Sequence, residues 1–291
     1  MTSDGDPRDG GPPIELLDPF ERVAFRFMSA LVHQGHALSE GYSRFVGANW
    51  IWAGVGNVLE VHGLERIAHL SSRDGVLLVS NHRSFFDLYL LFTALYRFTT
   101  LHQPVYCPVR ADFFYQRPLG IAVNLLAGGG RMYPPVFREP AKAPFNKWAV
   151  GEVSRLLVGG GVLVGMHPEG RRNKTDDPYT PLPAQPGVGK LVMDAWPIVV
   201  PAFINGLTNN IVGEVLGNWR RAPTMLRALG APSSNVDKRI VAVFGEPIDL
   251  SPFRALGNRL SSHKRIADRL LEIVYALGEE ERALRAASPA R

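Results

Sequence analysis

At 291 residues and 46% hydrophobic, the chain has ample material for a large core and stands at the upper edge of what one domain usually holds. Thirty-two Lys and Arg against 27 Asp and Glu give a net charge of +5, which favours an anionic partner: a phosphorylated small molecule, an anionic lipid surface or nucleic acid. No nucleic acid is expected, because the basic residues fall in scattered pairs such as Arg220-Arg221 and Lys238-Arg239 and form no stripe, and the lone Cys107 excludes an internal disulfide and any multi-cysteine metal site.

That cysteine usage fits a reducing, cytoplasmic setting. Residues 1–15 are polar and rich in Gly and Pro, and read as a disordered tail without signal character. No stretch reaches the roughly 18 consecutive apolar residues of a membrane span. Residues 16–57 read as a helical region, with Phe20, Val23, Ala24, Phe27, Met28, Leu31 and Val32 at helical spacing. Its second half carries Trp50 and Trp52 in an almost uncharged run, which suits a bilayer interface or a helix packed on the core equally well.

From residue 58 onward, strand-like and helix-like segments alternate. Apolar runs at 58–61, 76–80, 105–109, 162–166, 198–203 and 240–244 predict strands, and 85–96, 118–126, 144–158 and 189–195 predict helices. Gly159-Gly160-Gly161 ends one helix and turns the chain directly into the next strand. A last helix over 262–285 sets Ile266, Leu270, Ile273, Val274 and Leu277 on one face. The expected fold is a single α/β domain with a central, mostly parallel or mixed sheet covered by helices on both faces. It spans 58–255, after the N-terminal helical region and before a C-terminal helix and tail at 256–291.

One apolar run, 76–79, ends in Ser80-Asn81-His82-Arg83-Ser84-Phe85-Phe86-Asp87 and restarts as a helix. A histidine on such a loop with a carboxylate in the first turn behind it could form a base and its orienting partner. Spacing does not single the pair out, since His69 with Asp74 and His263 with Asp268 repeat it. Position does: only His82 lies just past the C-terminal end of a predicted strand, the edge of an open α/β sheet where ligands bind. Ser84-x-x-Asp87 also reads as a helix cap, with Ser84 as N-cap and an acid in the first turn.

A second run, 162–166, ends in His167-Pro168-Glu169-Gly170-Arg171-Arg172-Asn173. Gly170 could bring backbone N–H groups to an anion, and two arginines offer forked donors for phosphate oxygens. The same residues could equally make an ordinary surface turn. A third run carries Val199-Val200-Pro201-Ala202-Phe203. Gly187-Val188-Gly189-Lys190 lacks the first glycine and the hydroxyl residue of a phosphate-binding loop, and the glycine triplets at 128–130 and 159–161 make no dinucleotide fingerprint.

Asn-His-x4-Asp, then Pro-Glu-Gly-x-Arg, then Val-Pro-x-Phe, each at a strand end and in this order, resemble the glycerolipid acyltransferase family typified by 1-acylglycerol-3-phosphate acyltransferase. The resemblance runs over roughly 58–250, and Phe244-Gly245-Glu246-Pro247-Ile248 resembles the family's closing strand and turn. It implies His82 as general base on the acceptor hydroxyl and Asp87 as its orienting partner. It further implies Glu169, Gly170 and Arg172 at the acceptor site, Pro201 near the acyl pocket, and Ser80 and Asn81 as supports. The acyl donor would be acyl-CoA or acyl carrier protein and the acceptor a lysophospholipid, with no metal and no cofactor. The enzyme would work as a peripheral protein at the inner face of the cytoplasmic membrane.

The chain departs from the family pattern in three places. His167 stands where the family carries another aromatic, and Arg171 where it carries Thr. The middle motif, whose arginine grips the acceptor phosphate, has two candidates here, Arg131 and Arg138. Alternatives to a lysophosphatidate acceptor are an amino-acid lysolipid, a glycolipid or another hydroxyl, and the alternative to an enzyme is a non-catalytic lipid-binding homologue.

Overall fold

The computed structural model describes residues 10–56, 58–207 and 239–287. The first nine residues of the tail, Arg220-Arg221 and Lys238 lie outside the described residues. Helix α1 (Pro19–His33) starts with proline at its first position, and the Asp18 N–H donates to Glu21 Oε2 at 2.9 Å, which satisfies a donor at the helix start. Ala24, Phe25, Met28 and Val32 form its buried face, while Phe20, Val23 and Phe27 face outward. Helix α2 (His36–Gly41), a π-helical turn (Tyr42–Gly47) and α3 (Ala48–Val55) complete the N-terminal region. Both tryptophans of α3 pack on the domain. Trp50 donates Nε1–H to the Leu126 carbonyl at 3.3 Å and meets Phe86 edge-on, and Arg97 lies over Trp52 at 4.4 Å.

Strands β1 (Leu59–His62) and β2 (Gly75–Ser80) are followed by α4 (Asp87–Phe98). After β3 (Val105–Tyr106) the expected strand at 105–109 breaks. Pro108 has no N–H for the ladder, Cys107 N–H turns to the Arg131 carbonyl at 3.0 Å, and Val109 joins a second sheet. That small sheet pairs β4 (Val109–Arg110) with β5 (Pro135–Val136), around α5 (Ala111–Phe114) and α6 (Pro118–Gly128). Then come α7 (Ala143–Gly159), β6 (Val162–Met166), α8 (Pro186–Ala195), β7 (Ile198–Asn205), β8 (Ile240–Phe244) and α9 (Leu260–Ala287).

The central sheet has the order β1-β8-β7-β2-β6-β3 among the described residues. All its pairings are parallel except β7 with β8. Period-two alternation sorts the core. Leu77 and Val79 of β2, with Val162, Val164, Val199 and Phe203, pack under α1, α7, α8 and α9. Val76 and Leu78, with Leu163, Val200, Ala202 and Ile204, pack under α3 and α4. Leu77 is fully buried, so Leu77→Ala is expected to cost about 2–5 kcal/mol.

The glycine at 189 serves packing. A Cβ there would lie 1.9 Å from the His263 carbonyl oxygen, so α8 approaches α9 only with Gly189. Because β2, β6 and β7 run parallel, their C-terminal ends share one edge. With Val79 beside Met166, Ser80 ends β2 next to His167, which opens the loop after β6.

Candidate active site

The loop from β2 to α4 is tied down residue by residue. Asn81 is buried and exchanges two hydrogen bonds with the backbone of Ile204 in β7, at 2.9 and 2.8 Å. His82 N–H donates to Glu169 Oε2 at 2.9 Å, and the His82 carbonyl accepts from Asn173 N–H at 2.6 Å. Asp87 is fully buried, and its Oδ2 accepts from Arg83 N–H (2.7 Å), Ser84 N–H (2.8 Å) and His82 Nδ1 (3.1 Å). The helix begins at Asp87, with Phe86 flanking it, so Ser84 is not its N-cap. The carboxylate instead turns back and organises the loop, because it is the stronger acceptor for the loop's N–H groups.

A carboxylate on Nδ1 fixes the proton there and leaves Nε2 of His82 as the basic atom. Burial, aided by the Arg172 guanidinium, pushes His82 down to about 3. Burial pushes Asp87 up to about 6, against the pull of neighbouring charge and of the Ser84 and Arg83 N–H groups. Above that value the pair stands as neutral imidazole beside carboxylate, the form a general base requires.

Glu169 braces this arrangement from the next loop. Besides His82 N–H it accepts Leu182 N–H at 2.8 Å and the Tyr275 hydroxyl of α9 at 2.9 Å, on Oε1. It is 1% exposed, and burial raises its pKa. Gly170 has φ +65 and its N–H donates to the His167 carbonyl at 2.9 Å. That N–H therefore closes the turn. Pro201 is buried in β7 opposite Val79.

The four arginines separate. Arg171 is exposed and Arg172 half-buried, and neither bonds another described residue. Arg172 is the one whose charge reaches His82. Arg138 is exposed, with Nε 3.8 Å from Asp112, which also pairs with Arg110. The adjoining Phe113 and Phe114 pack on Phe85 inside the catalytic loop candidate, at 6.1 and 5.2 Å. Arg131 goes inward: it is 3% exposed, donates Nη2–H to the His36 carbonyl at 2.9 Å and lies over Tyr106.

Three residues of the site carried no functional reading from sequence. Tyr275 reaches Glu169 across 106 positions, which no local pattern announces. Arg83 points a buried Nη1 without a partner among the described residues. His167 stacks face to face on His82, ring centroids 3.7 Å apart and 6° from parallel. Its signal was the strand register, which sets the ends of β2 and β6 side by side.

The ligand atoms of His82, Asp87 and His167 lie within 4.8 Å of one another, a donor set that a metal could use. The stack opposes it, because parallel rings hold their lone pairs in separate planes that one cation cannot share. A groove of about 890 Å³ between residues 246–253 and α9 contains none of these residues, and its Lys264, Arg265 and Arg269 alternate with Asp249, Asp268 and Glu272.

The profile of the acyltransferase family matches residues 58–205, just over half of the chain. The chain belongs to that family. The crystal structure of the 1-acyl-sn-glycerophosphate (LPA) acyltransferase PlsC from Thermotoga maritima is similar at 16% identity and a TM-score of 0.49, over 93% of this chain and 98% of that one. No curated protein matches. The matched span of this acyltransferase runs from the start of β1 to the end of β7, and holds both loops just described.

Proposed function

We propose that the chain is an O-acyltransferase that moves a fatty acyl group from acyl-CoA or acyl carrier protein to a hydroxyl of a lysophospholipid, with 1-acylglycerol-3-phosphate as the foremost acceptor. The observation that carries this reading is the His82–Asp87 contact at 3.1 Å, with Nε2 left as the base. Nε2 takes the hydroxyl proton as the oxygen attacks the thioester carbonyl carbon. The tetrahedral adduct then collapses, the C–S bond breaks, and the thiolate takes the proton back from the imidazolium. Asp87 stabilises that imidazolium. A thiolate leaves readily, so the chemistry needs no metal and no cofactor besides the acyl donor.

Arg172 and Arg138 are the proposed holders of the acceptor phosphate: the charge of Arg172 reaches His82, Arg138 is exposed beside Asp112, whose neighbours Phe113 and Phe114 pack on Phe85, and Arg131 is enclosed. An anion paired with Arg172 would also offset the charge that helps burial depress His82, so acceptor binding would strengthen the base. Purified protein mixed with acyl-CoA and lysophosphatidic acid should release thiol and form the diacyl product, and His82→Ala should abolish both. Equal, slow thiol release from both proteins with every member of a mixed lysolipid pool would sink the enzyme reading. Product masses from that pool would identify a different acceptor.

No helix among the described residues is long and apolar enough to cross a membrane. Phe20, Val23 and Phe27 are 44%, 68% and 52% exposed on one side of α1, and Phe45, Leu119 and Leu126 are exposed as well. We infer that this face, more than Trp50 and Trp52, meets the membrane surface as a peripheral contact. A Phe20/Val23/Phe27→Ser variant should lose most sedimentation with anionic vesicles, and undiminished binding would rule the face out.

A further inference from the structure

We propose that His167 is a positioning residue for the base: its ring, stacked on His82, fixes the plane in which Nε2 meets the acceptor, and the two rings together accept one proton where separate histidines would accept two. The proposal rests on the acyl-transfer reading for its kinetic consequence, and on the geometry alone for the coupled protons. The rings lie 3.7 Å apart at 6°. Nδ1 of His167 meets the Ser80 carbonyl at 3.1 Å and Ser80 Oγ at 3.2 Å. A carbonyl only accepts, so Nδ1 carries the proton and strand β2, which delivers His82, also sets the angle of its partner.

A phenyl ring at 167 would hold the plane equally well. What the imidazole adds is a second place for a proton. Asp87 from α4 faces both rings and favours a proton on either. Against it stand Arg172 from the turn after β6, whose charge reaches His82, and Arg83 on the same loop, whose charge reaches Asp87. Glu169, held by Tyr275 of α9, lies against the His82 backbone N–H and also senses Asp87. Asp87 takes its own proton near 6, before either ring titrates, and so leaves no charge to balance a second imidazolium. That second charge, stacked on the first at 3.7 Å in a half-buried site, is repelled by it. A proton on His167 therefore silences His82, because abstraction from the acceptor would create that second charge. Burial already holds both rings far below the usual imidazole range.

Two variants divide the roles. His167→Phe keeps a stacked plane and removes the proton site, and His167→Leu removes both. In an NMR titration of the unliganded protein labelled at histidine, the wild-type rings should respond together and take up one proton. In His167→Phe, His82 should titrate alone with its midpoint raised by about half a pH unit or more, since a phenyl face favours the imidazolium. With turnover, kcat should fall about tenfold further in His167→Leu than in His167→Phe, the loss attributed to a loosened base. An unmoved His82 midpoint in folded His167→Phe overturns the proposal. So does an equal loss of kcat in the two variants, the mark of a merely structural residue. The NMR titration needs no substrate, so coupled rings in a protein without turnover would remove the enzyme reading and leave the proton pair standing.

Discussion

The two ends of strand β2 carry the same pattern of residues with opposite outcomes. Before the strand, His69 is exposed, and Asp74 bonds the Ser71 N–H at 2.7 Å within a surface turn. After it, His82 and Asp87 touch at 3.1 Å, with the carboxylate fully buried. The difference lies in what surrounds each end. The N-terminal end opens to a short turn, whereas the C-terminal end is flanked by the loop after β6 and by β7, which supply Glu169, His167 and Ile204 as walls. A His-x4-Asp becomes a dyad when neighbouring strands fix its loop. The third copy makes the same point, since His263 bonds Asn258 at 2.6 Å while Asp268 pairs with Lys264 along the helix.

The largest effect expected from this contrast is on turnover. His82→Ala should lower the transfer rate at least 10³-fold, and Asp87→Asn by on the order of 10²–10³, because the amide no longer stabilises the imidazolium. His69→Ala and Asp74→Asn should stay within twofold of wild type. Thiol release under saturating donor measures all four, and a loss at the N-terminal end equal to that at the C-terminal end would break the comparison.

A smaller effect tests the walls. Glu169→Ala leaves the His82 and Leu182 N–H groups and the Tyr275 hydroxyl without their acceptor, and should cost on the order of 3 kcal/mol in denaturant unfolding. Tyr275→Phe, which removes one of the three, should cost about 1 kcal/mol. If Glu169→Ala is as stable as the wild type, the loop is held by something else.

Much of this was legible in the chain, because long apolar runs between turn residues leave few readings. The strand at 162–166 and the strand at 240–244 fall where periodicity and turn chemistry put them. Residues 105–109 did not form one strand, since an apolar run says nothing of which ladder each residue joins, and Pro108 divides it between two. In the site, His82 and Asp87 were legible as a pair because their contact is local. Glu169 was legible as a member of the turn, but its bonds to the loop, and the reach of Tyr275 from α9, are products of tertiary assembly. Arg131 and Arg138 looked interchangeable at a distance of seven positions. The cis Tyr133–Pro134 bond and β5 intervene between them, and one ends inside while the other ends at the surface.

The smallest effect concerns stability against pH and follows from the same enclosure. His82 and His167 are held to about 3 in the folded chain, below the value near 6.5 of an unfolded histidine. Their contribution is present above about pH 6.5 and is lost as pH falls, because the unfolded chain then binds two protons that the folded chain refuses. Asp87 acts in the opposite sense. Raised to about 6 from an unfolded value near 3.9, it adds stability at low pH that is lost as pH rises through 6. Between about pH 6 and 4 the unfolded chain thus holds about two protons at these sites and the folded chain about one. The net loss is roughly 1.4 kcal/mol for each pH unit of acidification. Replacing His167 by Phe removes one of the two refused protons, so the variant's stability curve should be flatter than the wild type's by about that slope over the same range. Urea unfolding at half-unit pH steps compares the two curves directly, and the difference cancels the carboxylates that titrate elsewhere. Parallel curves would mean that His167 takes its proton in the folded chain as readily as in the unfolded one, and that β2's C-terminal end is wetter than its contacts imply.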